Sequence, residues 1–255
     1  MGYAVLHIDK ARSNDSGNTA HIARTYTPSN VDPSRTRLNR ELVQFPANVT
    51  NRSEAIEHRI ATAGIYRKVA KNQVKALRFI LSSSPEDMAR IEQEGLLYEW
   101  CDESMDWLRS TFGADNVVAA TLHADEDTPH IHATVVPIVT GERRKAKEEA
   151  ENGKRKYKTK KNKVRLCADD VLTPKKLEQY QTDYAKRVQR FGLERGVLGS
   201  QAPDHDGVLQ GNSQIHEREG NSKGGTHSQD KGAGEAGRQA TYERNAIFYL
   251  WQLRT

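Results

Sequence analysis

The chain has 255 residues, room for one substantial domain with appendages or for two small ones, and its 36% apolar content is low for a fully packed globule. Lys and Arg exceed Asp and Glu for a net charge of +5, concentrated in Glu142–Arg165, where twelve bases stand against four acids; a polyanion is the natural partner of such a run. Cys101 and Cys167 lie far apart and outside any C-x-x-C pattern, which excludes a disulfide framework or a cysteine zinc site. No run approaches the roughly 18 apolar residues of a membrane span and the N-terminus lacks a signal h-region, so a cytoplasmic protein is expected.

"GYAVLHID" (2–9) is rich in strand formers and predicts a first strand. "SGNTAHIARTY" follows, where Ser16 or Asn18 can cap a short helix with His21 and Arg24 three apart on one face. The prolines and turn formers of "TPSNVDPSRTRLN" predict a loop leading to "NRELVQF". Ser53–Lys71 spaces Ile56, Ile60, Ala63 and Tyr66 or Ile65 at helical intervals and predicts one helix. "KALRFILSSSP" reads as a strand. From Ser84 to Gly113 an amphipathic helix is expected, interrupted near Gly95, with Trp100 and Trp107 packing in the core. "NVVAATLHA" and "HIHATVVPIV" are strand-like runs around "DEDTP" and should pair as a hairpin. Beyond the basic segment, Thr173 caps a helix with Pro174 at its first position and Leu177, Tyr180, Tyr184 and Val188 as its buried stripe. Past Gly199 the chain is rich in Gly, Ser, Gln and charge and is expected to be largely disordered.

"HADEDTPHIH" places three of the nine histidines within ten residues. His130 and His132 alternate on a strand and so point to one face, and a turn at "DEDTP" would return His123 beside His130. Three neutral imidazoles can then converge on a divalent cation. Asp125 and Glu126 lie at the rim, one available as a fourth ligand and the other to orient a ring. Three protein nitrogens leave coordination positions open, the habit of a catalytic metal that polarises phosphate in a basic protein. Such a site needs an attacking group, and "HIAR" offers His21 as a nucleophile beside Arg24, a guanidinium suited to clamp phosphate oxygens.

Together, "HIAR" (21–24), "NREL" (39–42) and "HADEDTPHIH" (123–132) resemble the three motifs of the MobV-type (Mob/Pre) plasmid mobilisation and recombination relaxases, and H-x-D-E-x-x-P-H-x-H is matched at every fixed position. The resemblance implies an α+β fold of the HUH-endonuclease kind, an antiparallel sheet flanked by helices. It also implies binding of single-stranded DNA at an origin of transfer, and cleavage of one strand with the 5′ end held covalently. It assigns His123, His130, His132 and Glu126 to the metal, His21 to the nucleophile and Arg24 to the phosphate, with Asp125 and Asn39 as supporting residues. Manganese is the favoured ion, with magnesium or zinc as alternatives, and other mobilisation or conjugation proteins are potential partners. The catalytic domain would span 1–198, including the basic segment 142–165, and the atypical tail 199–255.

Two departures matter. Where the family commonly has tyrosine in its second motif, this chain has Arg40, which favours His21 as the attacking group, with Glu41 as its base or orienting group and Arg40 available to hold the DNA backbone. Tyr26 is a weaker nucleophile candidate. The family's helical, coiled-coil-prone continuation is replaced by Gly-rich sequence, as a truncated or frame-shifted reading frame or an unusual linker would produce. Arg143, Arg144, Lys154, Arg155, Lys156, Tyr157, Lys158, Lys160 and Lys161 are expected to track the strand and stack a base. Rival readings are a rolling-circle initiator attacking through Tyr180 or Tyr184 and a regulator whose metal only stabilises its hairpin. A phosphoesterase built on two H-x-T/S motifs lacks the second motif.

Overall fold

The computed structural model describes residues 2–11, 16–25 (backbone alone at 16–18), 29–141, 151–153 and 163–197. Tyr26, the nine basic-segment candidates from Arg143 to Lys161 and the tail from 199 onward lie outside them. The chain divides into two units, Met1–Arg195 and Gly196–Thr255. No helix among the described residues is long and apolar enough to cross a membrane.

Five strands form one antiparallel sheet. In chain order the strands are β1 (Gly2–Tyr3), β2 (Val5–Lys10), β3 (Arg40–Glu41), β4 (Leu77–Ser82), β5 (Val117–His123), β6 (His130–Val135), β7 (Ile138–Val139), β8 (Arg165–Leu166) and β9 (Leu193–Glu194). The large sheet runs β2-β4-β6-β5-β3, while β1 with β9 and β7 with β8 make two small pairs. The helices are α1 (Ser16–Ile22), α2 (Arg52–Thr62), α3 (Pro85–Gln93), α4 (Leu97–Phe112), α5 (Ala168–Val171) and α6 (Pro174–Val188). This is the α+β architecture that the sequence implies.

Strand alternation gives the sheet two unlike faces. Leu6 pairs with Leu81, Phe79 with Ala133 and Leu81 with Ile131, so these apolar side chains share one face. That face is covered by α4 and α6, whose Trp100, Trp107, Tyr180 and Tyr184 are buried as the apolar stripes predict. Trp107, Phe112, Tyr180 and Tyr184 meet edge to face or tilted, an arrangement the ring quadrupole favours. The Tyr184 hydroxyl is matched with Ser104 at 3.1 Å, and Tyr180 donates to the Val171 carbonyl at 3.1 Å.

The other face is polar. His7 pairs with Ile80, Ile80 with His132, His132 with Thr121 and Thr121 with Glu41, a row that crosses the whole sheet. α2 lies on this side, because its buried Arg52 donates to the Thr134 hydroxyl at 2.5 Å.

One helix departs from expectation, and one break falls where the sequence indicates. α2 begins at Arg52, capped by Asn51, which accepts the Glu54 amide, and it ends at Thr62 rather than Lys71. Gly64 at φ +70° turns the chain out of the helix, a conformation open to glycine and costly for other residues. The segment from Ser84 is two helices, separated at Gly95 with φ +73°. Gly95→Ala should therefore destabilise the fold by about 1 kcal/mol, since a Cβ in the left-handed region costs about that much. Urea unfolding of the two proteins measures it; unchanged stability would refute that account of the break.

Candidate metal and phosphoryl-transfer site

The β5–β6 hairpin sets the site. Its register pairs His123 with His130 and Thr121 with His132, so all three histidines share the polar face. The ring centroid of His123 lies 5.2 Å from that of His130 and 4.8 Å from that of His132. His21, at the end of α1, stands 5.5 Å from both His123 and His132 by the same measure. One ligand-type nitrogen from each of the four histidines falls within 4.8 Å of the others.

Hydrogen bonds fix which nitrogen each ring turns inward. His130 donates from Nδ1 to the Thr128 carbonyl at 2.9 Å, which leaves Nε2 bare in the neutral ring. That Nε2 is 3.0 Å from His132 Nε2, a place for one shared proton or for a cation between two bare nitrogens. His123 donates from Nε2 to the Ile22 carbonyl at 3.1 Å. Its Nδ1 is buried with no hydrogen-bond partner and faces Glu126 Oε1 at 3.4 Å. An orphaned buried acceptor costs about 1–3 kcal/mol, a cost that a cation there would remove. Burial pushes the His130 imidazole down to about 4 and that of His132 well below its ordinary value, so both are bare donors at neutral pH. The donors fit a divalent ion, as three nitrogens and a carboxylate suit manganese or zinc.

Glu126 is the pivot of the cluster. Its Oε1 lies 3.4 Å from His21 Nε2 and 4.0 Å from His130 Nε2, and it accepts Arg24 Nη2 at 2.6 Å. Asn30 donates to its Oε2 at 2.8 Å. Burial alone would raise this carboxyl, but the surrounding imidazoles, those of His123 and His21 first, and the Arg24 guanidinium outweigh it and hold it well below the usual carboxylate range. Asp125, with no exposed side-chain surface, accepts Arg24 Nε at 3.0 Å and Nη2 at 2.6 Å, and also the Thr36 hydroxyl at 3.0 Å. Desolvation opposes its ionisation, and Arg24 foremost reverses that and lowers it. Of the two acids, Glu126 thus faces the histidines and Asp125 orients Arg24.

Arg24 does not sit on the helical face with His21, as the i, i+3 spacing predicts. α1 ends at Ile22, and Arg24 has left-handed backbone at φ +50°. The contact forms regardless: Nη1 donates to the His21 carbonyl at 2.9 Å and lies 3.4 Å from its Nε2. The Thr25 amide closes the helix end on the Ala20 carbonyl at 3.0 Å, and the hydrogen bonds to Asp125 and Glu126 hold the guanidinium toward the hairpin.

The second motif splits. Asn39 accepts the Ala124 amide at 2.8 Å and so holds the chain just past His123. Arg40 is exposed and stacks over Tyr98 at 4.2 Å. Glu41 receives the Thr121 hydroxyl at 3.0 Å on each oxygen, and burial raises its carboxyl; the carboxylate beside His21 is Glu126. Tyr180 and Tyr184, which a tyrosine-dependent initiator would need, are buried on the far face of the sheet.

Several contributors escape sequence reasoning. Asn30 and Thr36 lie in a segment that reads only as a turn-rich loop. Arg52 bridges Thr134, two residues along β6 from His132, to the Thr19 hydroxyl at 3.1 Å, two residues before His21. Its only sequence signal is a charge at the first position of a helix.

In the metal-free protein the depressed His130 makes stability depend on pH. Between about 4 and its ordinary 6.5, the unfolded chain binds a proton that the folded chain does not, so stability is present above this window and lost as pH falls through it. The melting temperature of chelator-treated protein should drop between pH 6.5 and 4; a flat profile would contradict neutral burial of the ring.

The plasmid recombination enzyme family profile matches residues 1–208. A plasmid recombination enzyme type 3 from Staphylococcus aureus is 32% identical over 162 residues, 60% of this chain and 38% of the relative. A 65 kDa protein of Zymomonas mobilis is 29% identical over 203 residues, 78% of this chain and 31% of the relative. The chain thus spans well under half the length of these curated relatives. Among solved structures, the Mn-bound MobM relaxase domain with pMV158 oriT DNA superposes with a TM-score of 0.65 at 22% identity, over 83% of this chain and 99% of that one. A second MobM complex, carrying a 3′-thiophosphate 22-nucleotide oriT DNA, gives 0.65 at 23%. The fold is that of the relaxase domain, and the chain belongs to the plasmid recombination enzyme family (Mob/Pre).

Proposed function

We propose that this chain is a DNA strand transferase, a relaxase that nicks one strand at a plasmid or mobile-element origin of transfer in the cytoplasm and keeps the 5′-phosphate covalently attached. The observation that carries the proposal is the meeting of His21 Nε2 with Glu126 Oε1 at 3.4 Å beside three histidines whose bare nitrogens converge. Residues 1–198 form its catalytic domain, and the basic run at 142–165 contributes backbone contacts. The tail 199–255 stands outside the catalytic machinery. Other mobilisation or conjugation proteins are the further partners of this reading.

His123, His130, His132 and Glu126 would hold a divalent ion, for which we propose Mn²⁺ ahead of Mg²⁺ or Zn²⁺, since three imidazoles disfavour magnesium. The Mn-bound MobM domains are the precedent. When bound, the ion polarises a non-bridging oxygen of the scissile phosphate.

His21 attacks phosphorus through an unprotonated ring nitrogen, forming the N–P bond as the bond to the 3′-oxygen breaks; the departing oxygen takes up a proton and becomes the 3′-hydroxyl. The ring turns cationic on attack, and the ionised Glu126 at 3.4 Å stabilises that charge. Arg24, anchored on Asp125, keeps its Nη1 near His21, where it can meet a phosphate oxygen. Asp125, Asn39 and Arg52 fix these groups. Glu41 shapes the rim through Thr121, and Arg40 offers an exposed cation for the strand.

His21→Ala should abolish the covalent adduct on origin DNA with Mn²⁺ while leaving Mn²⁺ binding by calorimetry intact; peptide mapping that finds an adduct on another residue would reject His21. His130→Ala should weaken Mn²⁺ binding by at least about 10–100-fold, the cost of losing even an outer-shell partner of a metal ligand. Unaltered affinity would remove the histidine cluster as the metal site.

A further inference from the structure

The loop that follows α2 is not used by the site described above. Residues 63–75, "AGIYRKVAKNQVK", contain four basic residues and no acid. The loop is pinned from beneath. Ile65 and Val69 pack on a small cluster with Val118, Val136 and Leu166, and the Gln73 side chain donates to the Leu166 carbonyl at 2.6 Å while accepting the Ala70 amide at 3.3 Å. What it presents outward is Tyr66, 88% exposed, together with exposed Arg67, Lys68 and Lys71. Lys163, near the end of the basic segment, lies 5.9 Å from the Tyr66 ring centroid. Two basic stretches far apart in sequence therefore converge around one projecting aromatic ring. Lys75 is paired with Glu57, but among the described residues Arg67, Lys68, Lys71 and Lys163 are held in no ion pair.

An exposed ring on a fixed loop among unpaired cations has the chemistry of a single-strand platform, with a π-face for a base and ammonium and guanidinium groups for the phosphates on either side. We propose that Tyr66, with Arg67, Lys68, Lys71 and Lys163, is a stacking site for single-stranded DNA, separate from the metal cluster. It rests on the relaxase reading above and adds a second anchor to it. α2 begins at Arg52, which touches the histidine face, and its 11 residues extend roughly 16 Å to this loop. The platform therefore engages nucleotides away from the one that reacts and keeps a grip on the strand that does not depend on the reacting phosphate. A duplex, whose bases are already stacked, cannot use the ring.

The test uses the full chain and a fluorescein-labelled, mixed-sequence single strand of about 30 nucleotides, long enough to span both sites. Tyr66→Ala should weaken binding about tenfold, the effect of removing one base stack, with Tyr66→Phe retaining it. Arg67→Glu with Lys68→Glu and Lys71→Glu should flatten the slope of log affinity against log salt by about 2, since each phosphate no longer neutralised on a single strand lowers it by about 0.7. Duplex binding should respond to the charge changes and not to Tyr66→Ala. Melting temperature and Mn²⁺ affinity, measured alongside, should match wild type. If wild type binds the strand and every variant binds it equally, with the same salt slope, the platform is refuted and the metal-site reading stands. Equal oligonucleotide affinity combined with abolished binding of polyglutamate would overturn it in favour of an acidic protein partner. Failure of wild type to bind the strand at all would sink the relaxase reading and this one with it.

Discussion

Arg24 joins the two halves of the site. Its guanidinium reaches Asp125 through two nitrogens, Glu126 through one of these, and the His21 carbonyl through the third. Burying a cation with two carboxylates costs desolvation energy, and the network offsets this only because its geometry is bidentate and the spare acceptors are filled by Thr36 and Asn30. The result is a fixed distance between an element that supplies the attacking group and a hairpin that supplies the metal donors. Arg24 thereby ties residues 21–24 to residues 123–132, about a hundred positions later.

The coupling also runs through the backbone. His123 needs one nitrogen protonated so that the other is bare, and the acceptor that selects this tautomer is the carbonyl of Ile22, next to His21. Arg52 adds a second tie, from Thr19 to Thr134. α1 is only seven residues long and cannot hold its place by its own helical hydrogen bonds. Its position rests on these contacts, which seat the attacking group against the metal donors. The sheet supplies the rigid side of this arrangement, since its far face is closed by the aromatic core of α4 and α6.

How much of this is legible in the sequence follows from how local each signal is. Alternation on β5 and β6 is enough to put His123, His130 and His132 on one face, and apolar stripes are enough to bury Trp100, Trp107, Tyr180 and Tyr184. The cap at Thr173, with Pro174 at the first helical position, is local chemistry and lies where the sequence indicates. Helical spacing pairs Arg24 with His21 for a reason that the structure does not bear out: the helix is too short, and a tertiary pull on the guanidinium replaces the spacing. Periodicity carries α2 past its observed end because it continues through Ile65, and Gly64 outweighs it. Asn30, Thr36 and Arg52 have no local signal, since their roles exist only once distant segments meet.

Crowding four imidazoles presents an electrostatic problem, because four charged rings within a few ångströms would repel one another and break the site apart. The structure resolves it by dividing the rings by environment. His130 and His132 are driven neutral by burial, and the permanent positive charge is carried instead by Arg24, whose carboxylate partners sit beside it. Glu126, held ionised among the rings, provides the one negative group that both a metal and a newly cationic His21 would share. A carboxylate in that position cannot be replaced by Asp125, which is fully engaged with Arg24 and Thr36, nor by Glu41, which is turned to Thr121. The acid in the middle of "HADEDTPHIH" that matters to the chemistry is therefore set by which of its neighbours the arginine has already claimed.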